Sequence, residues 1–418
     1  LRSNDFNIDI VGSFVSDLNV DLHLEHGNFT VSGGNFTTAD DIVVEISNTA
    51  LLVEGNVLFS GTNESRHHFE NSSITVQELG GPSILQATED ACITTIRTPI
   101  TVHSGSIDFN SNACLITTAS PIIVTSGSVN FSQQSEFTIL DTESSLTITD
   151  GNFILSDTAA LSSVAGIAVD IFGGNLIVQD LTSVELLRAD IFVGGNVILS
   201  ESAEFAIADS DLDVDGGSIT ASHDVDIRFI TSKVSVNGGS IETTDNSNFS
   251  LLESFLHVAG NVSFAHSSTA DIEFTDSQFN IVEGGDLVLT NSTSLVLTNT
   301  NGTILGGSLD MFDDTSFFSS DSSVILDGNG TLAVHDNGHV VLDDESLFSV
   351  TTTGATISFE DSAYLEVFNE STFNVTDGDV RFDGLSSFDL WDDSNLNVLG
   401  GSFVLAGNST MTAHPFTD

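Results

Sequence analysis

The chain has 418 residues and carries 60 Asp and Glu against 7 Lys and Arg, a formal charge of −53. With so few cations it is expected to bind neither nucleic acid nor an anionic membrane surface, because both demand Lys and Arg at the contact. Hydrophobic residues make up 40% of the chain, enough for a packed core, which excludes an acidic disordered tail.

No apolar run reaches the roughly 18 residues of a spanning helix, so no membrane span is expected. The chain starts on Leu1 without a basic-then-apolar leader, and a processed or partial product is the expectation.

Alternation of apolar and polar residues begins at Phe6-Asn-Ile8 and continues through Gly12-Ser-Phe14. From there one short pattern returns along the chain: Gly, a small polar residue, then an apolar one. Eighteen such anchors run from Gly12 to Gly401, through Gly34, Gly81, Gly105, Gly127, Gly260, Gly354 and Gly378 among others. They stand about 23 residues apart, with single intervals of 21 to 26. The repeat is plainest where residues 91–109, ACITTIRTPITVHSGSIDF, align with residues 113–131, ACLITTASPIIVTSGSVNF, at an offset of 22.

Inside each repeat the period is two. Ile107 and Phe109 follow Gly105, Val262 and Phe264 follow Gly260, and Val380 and Phe382 follow Gly378. Such alternation marks short strands with one buried face. Further alternating stretches complete the repeats, for example Phe205-Ala-Ile207 with Leu212-Asp-Val214, and Leu365-Glu-Val367 with Phe373-Asn-Val375. Apolar stripes at helical spacing are missing. The pattern predicts an all-β fold, a single parallel β-helix (β-solenoid) over residues 1–418 with no internal boundary. It predicts about 18 coils of about 23 residues, three short strands per coil, and Phe and aliphatic ladders inside. At ~4.8 Å per coil this is a rod of about 85 Å.

The glycines are expected at corners that need positive φ or close approach of successive coils. There are 30 Phe but one Tyr, Tyr364, and one Trp, Trp391. A dry interior offers no partner for a hydroxyl or an indole N–H, so Phe is the aromatic that fits it. A sugar-binding cleft would usually need more exposed Trp or Tyr.

Cys92 and Cys114 are 22 residues apart and each lies 13 before its anchor glycine. Stacked coils place them one above the other, inside the Cα separation of a disulfide. A Cys92–Cys114 bridge is therefore expected, and with it an oxidising, extracytosolic compartment. His67-His68 is a lone doublet without the spacing of a metal site. Asp209, Asp211, Asp213 and Asp215 alternate with Ser210, Leu212 and Val214, so their carboxylates form an outward row. That row is the candidate for Ca²⁺, beside the plainer reading of a solvated acidic face; no cofactor is required.

Sequons for N-linked glycans occur at Asn28, Asn35, Asn63, Asn71, Asn130, Asn248, Asn261, Asn291, Asn301, Asn329, Asn369, Asn374 and Asn408. Those on outward positions, such as Asn35 before Phe36, are expected to carry glycans.

The corner of Gly-Gly or Ser-Gly followed by Ile, Val or Leu, with Phe two positions later, resembles repeats of right-handed parallel β-helix surface proteins. Polymorphic outer-membrane autotransporters and filamentous adhesins are the nearest types. Gly105-Ser-Ile107-Asp-Phe109-Asn-Ser-Asn112 fits their motif style, with Ser104 in place of the first Gly. The resemblance implies an extracellular fibre or stalk. The leading expectation for function is a structural filament subunit that stacks end to end on copies of itself. An adhesin or stalk module is the alternative. A polysaccharide-processing enzyme is disfavoured, because Arg2, Arg66, Arg97, Arg188, Arg228, Lys233 and Arg381 are dispersed and the acidic chain repels uronate sugars.

Overall fold

The computed structural model describes residues 2–17, 20–39, 42–61, 65–77, 81–266, 271–282, 284–351 and 354–414. The described residues contain strands and turns but no helix. They form two compact units, Leu1–Leu212 and Asp213–Asp418. Each unit is a parallel β-solenoid, and together they hold about 17 turns of about 23 residues.

In the first unit one turn consists of strands β1 (Cys92–Ile96), β2 (Ile100–Val102) and β3 (Gly105–Phe109). The next consists of β4 (Cys114–Thr118), β5 (Pro121–Val124) and β6 (Val129–Phe131). Cys92 pairs with Cys114, Ile100 with Ile122 and Ile107 with Val129, all in parallel register. The expected three short strands are replaced early in this unit by long ones, Asp21–Ser32 and Val43–Glu54. There the first corner takes one left-handed residue, His26 at φ 57° or Asn48 at φ 49°, and pairing resumes directly beyond it. The second unit repeats the plan. Ser294–Thr298, Asn301–Leu305 and Ser308–Met311 pair with Ser316–Ser320, Ser323–Asp327 and Thr331–Val334.

Alternation decides what is buried. Ile93, Ile100, Val102, Ile107 and Phe109 point inward and are at most 1% exposed, while Thr94, Thr101 and Asp108 point outward. The aromatic ladders are real but short. Phe109 stacks on Phe131 at 4.9 Å and Phe131 on Phe137 at 5.2 Å; Phe359 stacks on Phe382 at 4.6 Å. Elsewhere Phe alternates with aliphatic residues, as where Phe36 registers with Val57 and Phe131 with Leu155. A ring spreads beyond its own turn, so smaller neighbours fill the space above it. Gly302 is the extreme case: a side chain there would collide with the Phe279 ring.

Among the described residues a turn bends at three corners, and each must satisfy the backbone N–H groups that the bend removes from the strand ladders. At the first corner, buried hydroxyls accept them. Thr98 N donates to Ser120 Oγ at 3.0 Å and Ser120 N to Ser144 Oγ at 3.2 Å. In the second unit Thr300 N donates to Ser322 Oγ at 2.9 Å and Ser346 N to Ser371 Oγ at 3.1 Å. Ser120 and Ser322 donate in turn to the carbonyls of Thr118 and Ser320, both at 2.8 Å, and Ser144 donates to Asp141 Oδ1 at 2.9 Å, so these hydroxyls are satisfied although buried. At the third corner Asp157 accepts from Gln133 N at 3.1 Å, and Asp313 from Asn291 N at 3.1 Å.

The second corner contains the anchor pattern. Its small polar residue accepts the N–H of the same position one turn later: Asn56 N donates to Asn35 Oδ1 at 3.2 Å, Asn196 N to Asn175 Oδ1 at 2.7 Å, and Asp286 N to Asn261 Oδ1 at 3.0 Å. The glycine before it has no room for a side chain. A Cβ on Gly127 would fall on the carbonyl oxygen of Gly105, and one on Gly307 on that of Gly285. Two anchors need correction. The position stacked beneath Gly105 is Ser83 rather than near Gly81, and the one beneath Gly378 is Ala355 rather than Gly354. Gly81 and Gly354 meet nothing where a side chain would go, so they hold the bend and not the close contact.

Two glycine substitutions separate these causes. Gly238 has φ 80° but open space around it, so Gly238→Ala is expected to cost about 1 kcal/mol. Gly127 has φ 125° and a carbonyl in the way, so Gly127→Ala is expected to cost roughly 3 kcal/mol or more. Denaturant unfolding of the two variants measures the difference, and equal losses would contradict the close-contact account.

Candidate functional site

The outward strand positions and the corners carry the polar chemistry. Cys92 and Cys114 are joined as a disulfide with Cα atoms 4.5 Å apart. Both are half-buried on the outer face, because Ile93 and Leu115 beside them take the inward positions. The bridge therefore clips neighbouring turns from outside and is no part of the core.

Of the acidic row, Asp209 and Asp211 belong to the first unit and are exposed, with Asp209 in the left-handed region at φ 50°. Asp213 and Asp215 belong to the second, and Asp213 accepts from Asn237 Nδ2 at 2.9 Å. Among the described residues no group of three or more His, Cys, Asp or Glu is arranged to hold a metal ion.

An acidic groove of about 470 Å³ lies on the second unit. Asp321, Asp344, Glu345, Asn369, Glu370, Asp392 and Asp393 line it. Several of these residues are left-handed corner residues from successive turns: Asp321 has φ 49°, Glu345 φ 59° and Glu370 φ 60°. Asp and Asn tolerate this conformation better than most residues, and each precedes or neighbours a ladder hydroxyl such as Ser322, Ser346 or Ser371. The acid-then-serine pairs in the sequence are the signal for this corner. Serine is so common in the chain that the signal does not stand out without the stacking.

Nearby, Tyr364 donates to Asp389 at 2.6 Å and lies 2.9 Å from Glu366, which also faces His339 Nε2 at 2.9 Å. Burial, followed by these two carboxylates, pushes the phenol far above its usual range, so it stays a donor. Outward-facing rings also stack here, Phe368 on Trp391 at 5.7 Å and Trp391 on His414. Cations sit over acids: Arg97 on Glu70 at 3.0 Å, Arg228 on Asp226, and Arg381 on Asp383. The Arg381 hydrogen bond holds the exposed Asp383 carboxyl below the usual range.

Two histidines face inward, one of them from the His67-His68 doublet and one, His266, that no sequence pattern singled out. His67 is 1% exposed and His266 is 0% exposed. Their Nε2 atoms meet Thr38 Oγ1 at 2.9 Å and Thr243 Oγ1 at 2.8 Å. Its partner His68 points outward, which is why the doublet does not act as a unit.

The sequons divide by position. Asn28, Asn35, Asn71, Asn248, Asn261, Asn291, Asn301, Asn329, Asn369 and Asn408 are exposed, while Asn130 and Asn374 are half-buried. Asn63 lies outside the described residues.

No protein-family model matches the chain, and no curated protein matches it. What is established is the parallel β-solenoid itself. No helix among the described residues is long and apolar enough to cross a membrane.

The buried histidines set a pH dependence. Burial pushes each imidazole down from 6.5 to about 4. The neutral ring is the folded form, so this stability is complete above pH 6.5 and is lost as pH falls from 6.5 towards 4. The loss is roughly 3 kcal/mol per histidine by pH 4. His67→Leu leaves Thr38 unpaired at every pH but removes the titration. Relative to the parent, this variant is expected to gain stability steadily between pH 6.5 and 4 in denaturant unfolding. A constant difference across that range would refute the assignment.

Proposed function

We propose that this protein is a structural subunit of an extracellular filament, stacking end to end through its solenoid turns. The observation that carries this reading is the parallel stacking of the turns, in which one turn pairs with the next along all three strands, as Cys92 with Cys114, Ile100 with Ile122 and Ile107 with Val129. A strand edge without a partner templates further parallel pairing.

A second copy offers a matching turn. Gly12-Ser13-Phe14-Val15 and Gly401-Ser402-Phe403-Val404 are the same four residues at the same corner position. Stacking one on the other would place Phe14 over Phe403, as Phe14 and Phe36 stack at 5.1 Å, and would continue the Ser13 ladder that receives Asn35 N at 3.1 Å. The acidic outer surface opposes side-by-side clumping, which favours association along the solenoid axis.

An extracellular setting is supported by the outer disulfide and by the many exposed sequons. The motif likeness to β-helical autotransporters and filamentous adhesins points the same way.

Electron microscopy and light scattering in salt high enough to screen the charge test the reading. Filaments growing by whole-chain increments are expected, with growth abolished by Phe14→Asp combined with Phe403→Asp. A single-chain mass at every protein and salt concentration would overturn it.

A further inference from the structure

The sequons Asn35-Phe36-Thr37 and Asn130-Phe131-Ser132 share a triplet, but Asn35 follows the anchor Gly34 and Asn130 follows Val129 within a strand. The neighbouring turns convert that difference into two different surroundings. Asn35 is a rung of the second-corner ladder, and its side chain accepts the backbone N–H of Asn56 at 3.2 Å. Asn261 holds the same place in the second unit and accepts the N–H of Asp286 at 3.0 Å. A backbone N–H can meet only the oxygen end of an amide, so the ladder fixes the orientation of both side chains. Neither Nδ2 has a protein partner among the described residues, unlike Asn175, whose Nδ2 donates to Asn152 Oδ1 at 3.2 Å, and both residues are exposed.

Asn130 is turned the other way. Its Nδ2 donates to the Asp108 carboxylate of the preceding turn, and the residue is half-buried in register between Asp108 and Ile154. Asn374 is likewise half-buried, with Nδ2 donating to Ser349 Oγ at 3.2 Å. Asn152 and Asn175 share the ladder geometry but lack a hydroxyl residue two positions on, so they are no sequons.

We propose that Asn35 and Asn261 are N-glycan attachment sites, because each is an exposed rung whose oxygen is held by the ladder while its amide nitrogen has no protein partner among the described residues, and that Asn130 is left bare in the folded protein. The inference rests on the extracellular part of the functional reading, since the transfer takes place on export. The donor is a lipid-pyrophosphate-linked oligosaccharide. The bond between its anomeric carbon and the phosphate oxygen breaks, a bond from that carbon to Nδ2 forms, one amide proton is lost, and the lipid pyrophosphate leaves. Oδ1 is untouched, so the glycosylated rung still accepts its N–H. At Asn130 the sugar would have to enter the space held by neighbouring turns, and chains so modified would fail to stack.

The full chain, secreted from insect cells behind a secretion leader, is the material for the test. Peptide mapping by mass spectrometry reads occupancy at each sequon. Glycan at Asn35 and Asn261 with none at Asn130 is expected. Asn35→Ser and Asn261→Ser keep an oxygen in the ladder, as Ser13 and Ser218 do, so each should lose one glycan mass without a change in melting temperature. Bare Asn35 and Asn261 in the secreted protein would overturn the proposal, as would comparable occupancy at Asn130. Microscopy of the same sample after enzymatic deglycosylation keeps the two readings apart. Filaments with both sites bare defeat the glycan proposal alone, and occupied sites without filaments defeat the assembly proposal alone.

Discussion

The governing constraint is that within each unit successive turns lie on one another in parallel register, about 4.8 Å apart. The described strand residues therefore have counterparts directly above or below them in the neighbouring turns. A column of inward positions must hold side chains that stack, which suits Phe, Ile, Leu and Val and penalises a hydroxyl or an indole N–H without a partner. A column at the second corner must let one carbonyl pass under the next residue, and Gly105, Gly127 and Gly151 succeed one another there for that reason. A column at the first corner must receive a buried N–H, and Thr98, Ser120 and Ser144 do so in turn.

The same constraint accounts for part of the charge. A corner bends through a left-handed residue, and Asp or Asn serves where glycine does not. Asp157, Asp180, Asp313 and Asp336 sit at such corners and also accept the N–H of the adjoining turn. Stacked carboxylates at this spacing repel by about 1 kcal/mol in water. The N–H groups they accept offset that repulsion locally, and salt screens the rest. The −53 charge is thus tied to how the backbone turns as well as to solubility.

Most polar chemistry lies on the outer face, while the inward positions are apolar except for the corner hydroxyls, two histidines and a few strand hydroxyls such as Thr95 and Thr117. The disulfide, the acidic groove, the Tyr364 cluster and the exposed sequons lie on the outside of strands that the inner columns hold in place. Assembly and surface modification are the functions such an outer face can serve.

Much of the fold was legible in the sequence because its determinants are local. Alternation at Ile107 and Phe109, the return of glycine about every 23 residues, and the 22-residue step from Cys92 to Cys114 establish the period, the inward set and the parallel stacking of turns. Other features depend on atoms one turn away, which no short stretch of chain contains. Gly81 and Gly354 look like anchors, yet the stacked positions are Ser83 and Ala355. His67 and His68 are adjacent, yet only one is buried. Asn35 and Asn130 share a sequon triplet, yet one amide nitrogen has no protein partner among the described residues and the other donates to Asp108. The sequence by itself determined the repeat and the side chains that face the core. Only the tertiary structure decided how the corners are satisfied and which polar atoms remain free, because a neighbouring turn supplies the partner in every case.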